Sequence, residues 1–67
     1  MTDKPTIQLD QFLKHHNLVG SGGEAKVVIQ GGYITVNGEV ETRRKRKLVE
    51  GDVVGHEDDR WTVSELT

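Results

Sequence analysis

Apolar residues along this chain fall first at helical and then at strand-like spacing. Leu9, Phe12 and Leu13 stand at i, i+3 and i+4, the signature of a helix with one buried stripe, and predict a helix over about 8–17. Gly20 marks the break after it. Ser21-Gly22-Gly23-Glu24 has the form of a capping box. In it the Ser21 hydroxyl accepts from the Glu24 N–H, and the Glu24 carboxylate reaches back to the Ser21 N–H. Ala25, Val28 and Ile29 are the stripe of a second helix that runs to about Gln30, and Gly31-Gly32 ends it.

The pattern then changes. Tyr33-Ile34-Thr35-Val36 is a strand by its β-branched content, and Asn37-Gly38 is a two-residue hairpin turn. The chain returns through Glu39-Val40-Glu41. Leu48-Val49 begins another short strand, Gly51-Asp52 turns, and Val53-Val54 makes the next. Glu57-Asp58-Asp59-Arg60 reads as a polar loop, and Trp61-Thr62-Val63 with Leu66 closes the sheet. Residues 1–6 are polar, contain Pro5 and read as a fraying end. Two helices followed by several short strands make an α+β chain rather than a βαβ one, with no internal repeat.

Length narrows this further. Sixty-seven residues allow one domain, taken as 1–67, with a small core. There is no cysteine, hence no disulfide and no thiolate metal site. No apolar run approaches the roughly 18 residues of a membrane span. The first nine residues lack the basic-then-apolar order of a signal peptide. The expectation is a cytoplasmic protein with no membrane partner.

Charge changes the picture most. The chain carries a net −2, yet Arg43, Arg44, Lys45, Arg46 and Lys47 place five cations in five consecutive positions, which leaves −7 on the rest. Such a run is often just a solvated face. Here its centre is read as uncompensated by nearby acids apart from Glu41 and Glu50 at the edges, and it lies between two strand-like segments. An anchored loop of that kind presents guanidinium groups to phosphates in fixed geometry, so polyanion binding is the favoured reading.

Other candidates are weaker. The Ser21-Gly22-Gly23 helix start is either a tight entry turn or an anion site of unpaired N–H groups, with Lys26 one turn on to add charge. His15 and His16 are adjacent and point about 100° apart on a helix, which disfavours a shared metal. His16 is expected at the edge of the apolar stripe and His15 in solvent. Phe12 and Trp61 are read as core. Tyr33 fits either the core or a base-stacking surface. No catalytic constellation appears, and neither a cofactor nor a small-molecule substrate is expected.

Leu9-Asp10-x-x-Leu13, Ser21-x-x-x-Ala25, Ile29-x-x-Gly32, Val36-Asn37-Gly38 and Gly51-Asp52, taken together, resemble the RNA-binding domain named after small-subunit ribosomal protein four, also called the alpha-L motif. The likeness runs from about Gln8 to Val54. The segments SGGEAK and VNGEVETRRKRKLVEGD look like its small free-standing YaaA/YbcJ-like branch. The resemblance implies two helices packed on a small, mostly antiparallel sheet. It also implies an RNA surface that takes in Gln8, Asp10, Ser21, Gly22, Lys26, Asn37, Arg43 and Lys47. The family usually carries arginine where this chain has Gln8 and Gly22. Either Arg44, Lys45 and Arg46 compensate, or the mode of binding differs.

The function expected is therefore non-enzymatic binding of structured RNA through its phosphates, with ribosomal RNA or a ribosome-assembly intermediate as the target. Few residues look like base readers, so RNA shape is expected to supply specificity. The alternatives are a protein-interaction module that docks an acidic partner, and an RNA-targeting subunit of a separate enzyme.

Overall fold

A computed structural model describes residues 5–64 of the chain. Its elements are β1 (Ile7–Gln8), α1 (Leu9–His15), α2 (Gly22–Gln30), β2 (Ile34–Val36), β3 (Glu39–Val40), β4 (Lys47–Leu48), β5 (Val53–His56) and β6 (Asp59–Thr62). The fold is α+β: two N-terminal helices and small antiparallel sheets.

Both helices bury the faces their spacing predicts. Leu9, Phe12 and Leu13 of α1 and Ala25 and Ile29 of α2 enter one core with Val19, Ile34, Val36, Leu48, Val54 and Val63. Val28 packs against it half-buried, and so does Trp61, which sequence placed in the core.

The helix ends are set by local chemistry. Helix α1 stops at His15, two residues short of the expected end and before Gly20. Asn17 takes the left-handed conformation (φ 58°). Its N–H donates to the Lys14 carbonyl and the Leu18 N–H to the Leu13 carbonyl, which closes the helix as a Schellman motif without glycine. Ser21 caps α2 as predicted, its Oγ accepting from the Glu24 N–H at 3.2 Å. The reciprocal bond is shifted by one residue: the Glu24 carboxylate accepts from the Gly20 N–H at 2.9 Å rather than from Ser21. At the other end it is Gly32 (φ 83°), not Gly31 (φ −76°), that needs the left-handed region.

Asn37 and Gly38 both have positive φ (54° and 87°), the type I′ turn that joins β2 to β3. Asn37 also ties this turn to the next strand. Its side-chain carbonyl accepts from the Val53 N–H at 3.0 Å, and its amide donates to Asp52 at 3.1 Å. Strands β3-β2-β5-β6 form one antiparallel sheet in that order. Strand β6 starts at Asp59, so the polar loop shrinks to a turn at Glu57-Asp58. Leu66 lies outside the described residues.

The largest departure lies at the start of the chain. Ile7–Gln8, where sequence assigned Ile7 no element and placed Gln8 in the first turn of a helix, is a strand. It pairs antiparallel with β4, Ile7 opposite Leu48 and Gln8 opposite Lys47. No local signal announces a two-residue strand whose partner lies some forty positions away.

Leu13 and Ile29 are fully buried on facing helices. Leu13→Ala and Ile29→Ala should each lower unfolding free energy by about 2–5 kcal/mol, because the small core leaves a cavity in place of each side chain. Urea unfolding followed by circular dichroism measures this, and losses under about 1 kcal/mol for both would contradict the packing described.

Candidate nucleic-acid interface

The basic run joins β3 to β4, and it is pinned at both ends and in the middle. On one side, the Glu41 N–H donates to the Ile34 carbonyl at 2.9 Å. On the other, the Arg46 and Arg44 carbonyls accept from the Leu9 and Asp10 N–H groups at 2.8 and 3.0 Å. Those two donors open α1, whose first amides have no partner within the helix. The Gln8 side chain makes no capping bond, so the loop backbone does the capping. Within the loop the Arg46 N–H closes a turn on the Arg43 carbonyl at 3.2 Å.

Two buried carboxylates lie under this backbone. Glu41, 7% exposed, accepts from Arg43 Nε at 3.0 Å, Arg43 Nη2 at 3.1 Å, the Arg43 N–H at 3.0 Å and Arg46 Nη1 at 2.7 Å. Asp10, 2% exposed, accepts from the Gln11 N–H at 2.8 Å and pairs through Oδ2 with Arg44 Nε at 3.5 Å and Lys45 Nζ at 3.6 Å. The Arg44 pair is electrostatic without being a hydrogen bond: its buried Nε has no hydrogen-bond partner. The run is therefore not uncompensated, as its sequence neighbourhood suggested. Glu41 is the centre of one ion cluster rather than an edge charge. The second acid, Asp10, comes from a helix that sequence distance had hidden. Among the described residues no carboxylate pairs with Lys47.

Pairing has not drawn the charges inward. The Arg43 and Lys45 side chains remain 72% and 63% exposed while their carboxylates are buried. Four cations thus stand on two acids, and with Lys47 the cluster keeps a net charge of about +3. The five cationic residues line an open cleft whose other wall is Gln30, the last residue of α2. Gln30 does not stand out in the sequence. Nothing in its local pattern separates it from any other polar residue on an exposed helix face.

The other candidate residues are distributed as follows. Gln8 is beside Lys47 in the β1–β4 pair. Asp10 faces inward beneath the loop. Ser21, Gly22 and Gly23 stand at the start of α2, roughly 12 Å along the helix axis from Gln30. They do not line the cleft. A Cβ at Gly22 would meet nothing within 4 Å. Lys26 is exposed between these ends. Asn37 has both ends of its amide engaged inside the fold, with Asp52 and Val53, which gives it a framework role.

His15 and His16 are exposed, and the His16 ring lies on Phe12 with centroids 4.2 Å apart. Among the described residues no group of three or more His, Asp or Glu is placed to hold a metal, and no helix is long and apolar enough to cross a membrane.

Comparison with known proteins adds a family. The family model for the S4 domain matches residues 1–64. A curated relative from Bacillus subtilis (strain 168), named "Probable ribosome maturation protein RlbA", is 46% identical over 52 residues, covering 78% of this chain and 73% of its own. A relative from Escherichia coli (strain K12), named "Putative RNA-binding protein YbcJ", is 40% identical over 50 residues, covering 75% of this chain and 71% of its own.

The ion cluster has a pH signature. The Arg43 guanidinium, then that of Arg46, holds the Glu41 carboxyl at about 2, well below the usual 4.5 and against the opposing effect of burial. A carboxyl depressed in the folded state contributes stability that is fully present above its unfolded pKa and is lost as pH falls through the folded one. The Glu41 contribution should therefore be complete above about pH 4.5 and gone near pH 2. Asp52, lowered by the Val49 N–H and by Asn37, adds an effect of the same sign. Glu41→Gln should be less stable than the parent at neutral pH, with the gap closing between pH 4.5 and 2. Thermal melts across that range test this, and a gap that does not change with pH would contradict it.

Proposed function

The chain belongs to the S4 domain family, and on that premise we propose that it binds structured RNA, without catalysis, by seating phosphates on the Arg43–Lys47 loop. The observation that carries this reading is the pair of buried carboxylates under the loop. An unsupported run of arginines and lysines loses side-chain entropy when it binds. One whose guanidinium groups are already held by Asp10 and Glu41 is ordered beforehand. Arg43 uses Nε and Nη2 on Glu41 and keeps Nη1 for an incoming anion. Lys47 is free of such a tie, and Gln8 beside it and Lys26 on α2 extend the surface.

The target we infer is ribosomal RNA or an assembling ribosomal particle in the cytoplasm. The name of the Bacillus relative, a ribosome maturation protein, supports that choice, and the name of the Escherichia relative supports RNA as the ligand class. The contacts offered are cationic groups suited to phosphate oxygens, which position a protein on RNA without reading its sequence. RNA shape then decides where the loop can sit.

Binding of this kind releases counterions, so affinity must fall with salt. A cluster of net charge near +3 corresponds to about three neutralised phosphates. The slope of log K against log salt should be about −2 to −3. Raising salt from about 50 to 200 mM should weaken binding to a ribosomal RNA hairpin roughly 20- to 60-fold. Lys45→Ala and Lys47→Ala should each flatten the slope by about 0.7–0.9 and weaken unrelated hairpins alike. Fluorescence anisotropy at several salt concentrations measures both. A slope unchanged when Arg43 and Lys47 are both removed, or binding to a polyglutamate peptide with none to RNA, would favour the docking of an acidic protein instead.

A further inference from the structure

Three exposed apolar residues, Val27, Tyr33 and Val40, lie around the corner where α2 gives way to the sheet. The glycines there show how near their atoms come. A Cβ on Gly31 would stand 2.7 Å from Cε2 of Tyr33 and 2.9 Å from the Val27 carbonyl oxygen. One on Gly32 would stand 3.8 Å from Cγ1 of Val40. Gly31 has an ordinary helical φ of −76°, so its backbone does not require glycine. What requires it is the joint approach of the Val27 carbonyl and the tyrosine ring, one side of which lies along the bare end of the helix. The ring is thus held in place, yet Tyr33 is 61% exposed. It is not a core residue: alternation along β2 sends Ile34 and Val36 inward and leaves Tyr33 outside.

This corner adjoins the cationic cleft. Gln30, which lines the cleft opposite Arg43–Lys47, immediately precedes Gly31. The bond from the Glu41 N–H to the Ile34 carbonyl brings the chain into the basic loop alongside the start of β2. A held aromatic ring with an open side, next to an amide and a row of cations, matches the parts of a nucleotide in order: base, sugar edge, phosphate. Three side chains are far too small a patch for a stable protein interface, which needs on the order of 1,000 Å². They are about the size of one base.

We propose that Tyr33 is a stacking surface for an unpaired base, in the same RNA whose phosphates lie on the Arg43–Lys47 loop. Gln30 stands at the step between the two and presents both a donor and an acceptor. The preferred ligand is then not a regular helix but a structured RNA with a bulged or looped-out nucleotide beside the phosphates that are gripped. This rests on the RNA-binding reading above and narrows it.

The test uses two RNA hairpins that differ only in one unpaired purine. The hairpin with the unpaired purine should bind about tenfold more tightly than the fully paired one, as expected for one stacked base. Tyr33→Ala should abolish that preference and leave the paired hairpin unaffected, while Tyr33→Phe, which keeps the ring, should retain it. Tyr33 is the single tyrosine, so its ring protons can be followed directly by NMR. They should move upfield with the first hairpin and not with the second. Equal affinity for both hairpins, or equal weakening of both by Tyr33→Ala, would overturn the stacking surface while a preserved salt slope left phosphate binding standing. Failure of both hairpins to bind at low salt would overturn both readings.

Discussion

Two carboxylates placed under a run of five cations organise this molecule. Asp10 and Glu41 are buried, and a buried carboxylate is tolerable only when paired and hydrogen-bonded. Their partners are the side chains of Arg43, Arg44, Lys45 and Arg46. The same loop offers its carbonyls to the first amides of α1. Start of helix, loop and carboxylates therefore satisfy one another, and removing any one leaves a polar group without a partner. The cationic side chains stay 32–72% exposed, so solvent screens these pairs and each contributes less than a fully buried pair would. The Arg44 Nε, buried without a hydrogen bond, marks where the arrangement is least satisfied.

The rest of the fold holds this platform in position. The β1–β4 pair fastens the end of the loop at Lys47 to the strand that leads into α1. The Asn37 amide and the Asp52 carboxylate fasten the hairpin to the start of β5, and Asp52 further accepts from the Val49 N–H at 2.9 Å. These are polar ties at the rim of a small apolar core. With eleven buried apolar residues among those described as its centre, the core fixes the packing of helices on the sheet but cannot by itself orient a charged loop.

For recognition, the outcome is local concentration of charge on a chain that is acidic overall. The acidic remainder repels polyanions except where the loop faces them, which favours one mode of approach. The internal pairing lowers the effective charge below the five that the sequence displays and exchanges raw attraction for geometry. In the proposed binding mode, the cleft between the loop and Gln30 gives this patch of charge a direction.

Much of this was legible in the chain itself, because its causes are local. The apolar spacing of Leu9, Phe12 and Leu13 set the face of α1. Ser21 and Glu24 set the start of α2, and Asn37-Gly38 set the hairpin, each through bonds spanning a few residues. The concentration of charge at Arg43–Lys47 was equally plain, as was the likeness to the S4 domain. What only tertiary structure decided depends on residues distant in sequence meeting in space. Asp10 beneath Arg44 and Lys45, Ile7 opposite Leu48, and Gln30 across from the loop have no signal in their own neighbourhoods. Tyr33 was open between core and surface until the bare end of α2 gave its ring a place to lie. Local backbone preference is set by steric and hydrogen-bonding terms that act over one turn. Ion pairs and ring contacts act through space, and the chain does not encode them by proximity.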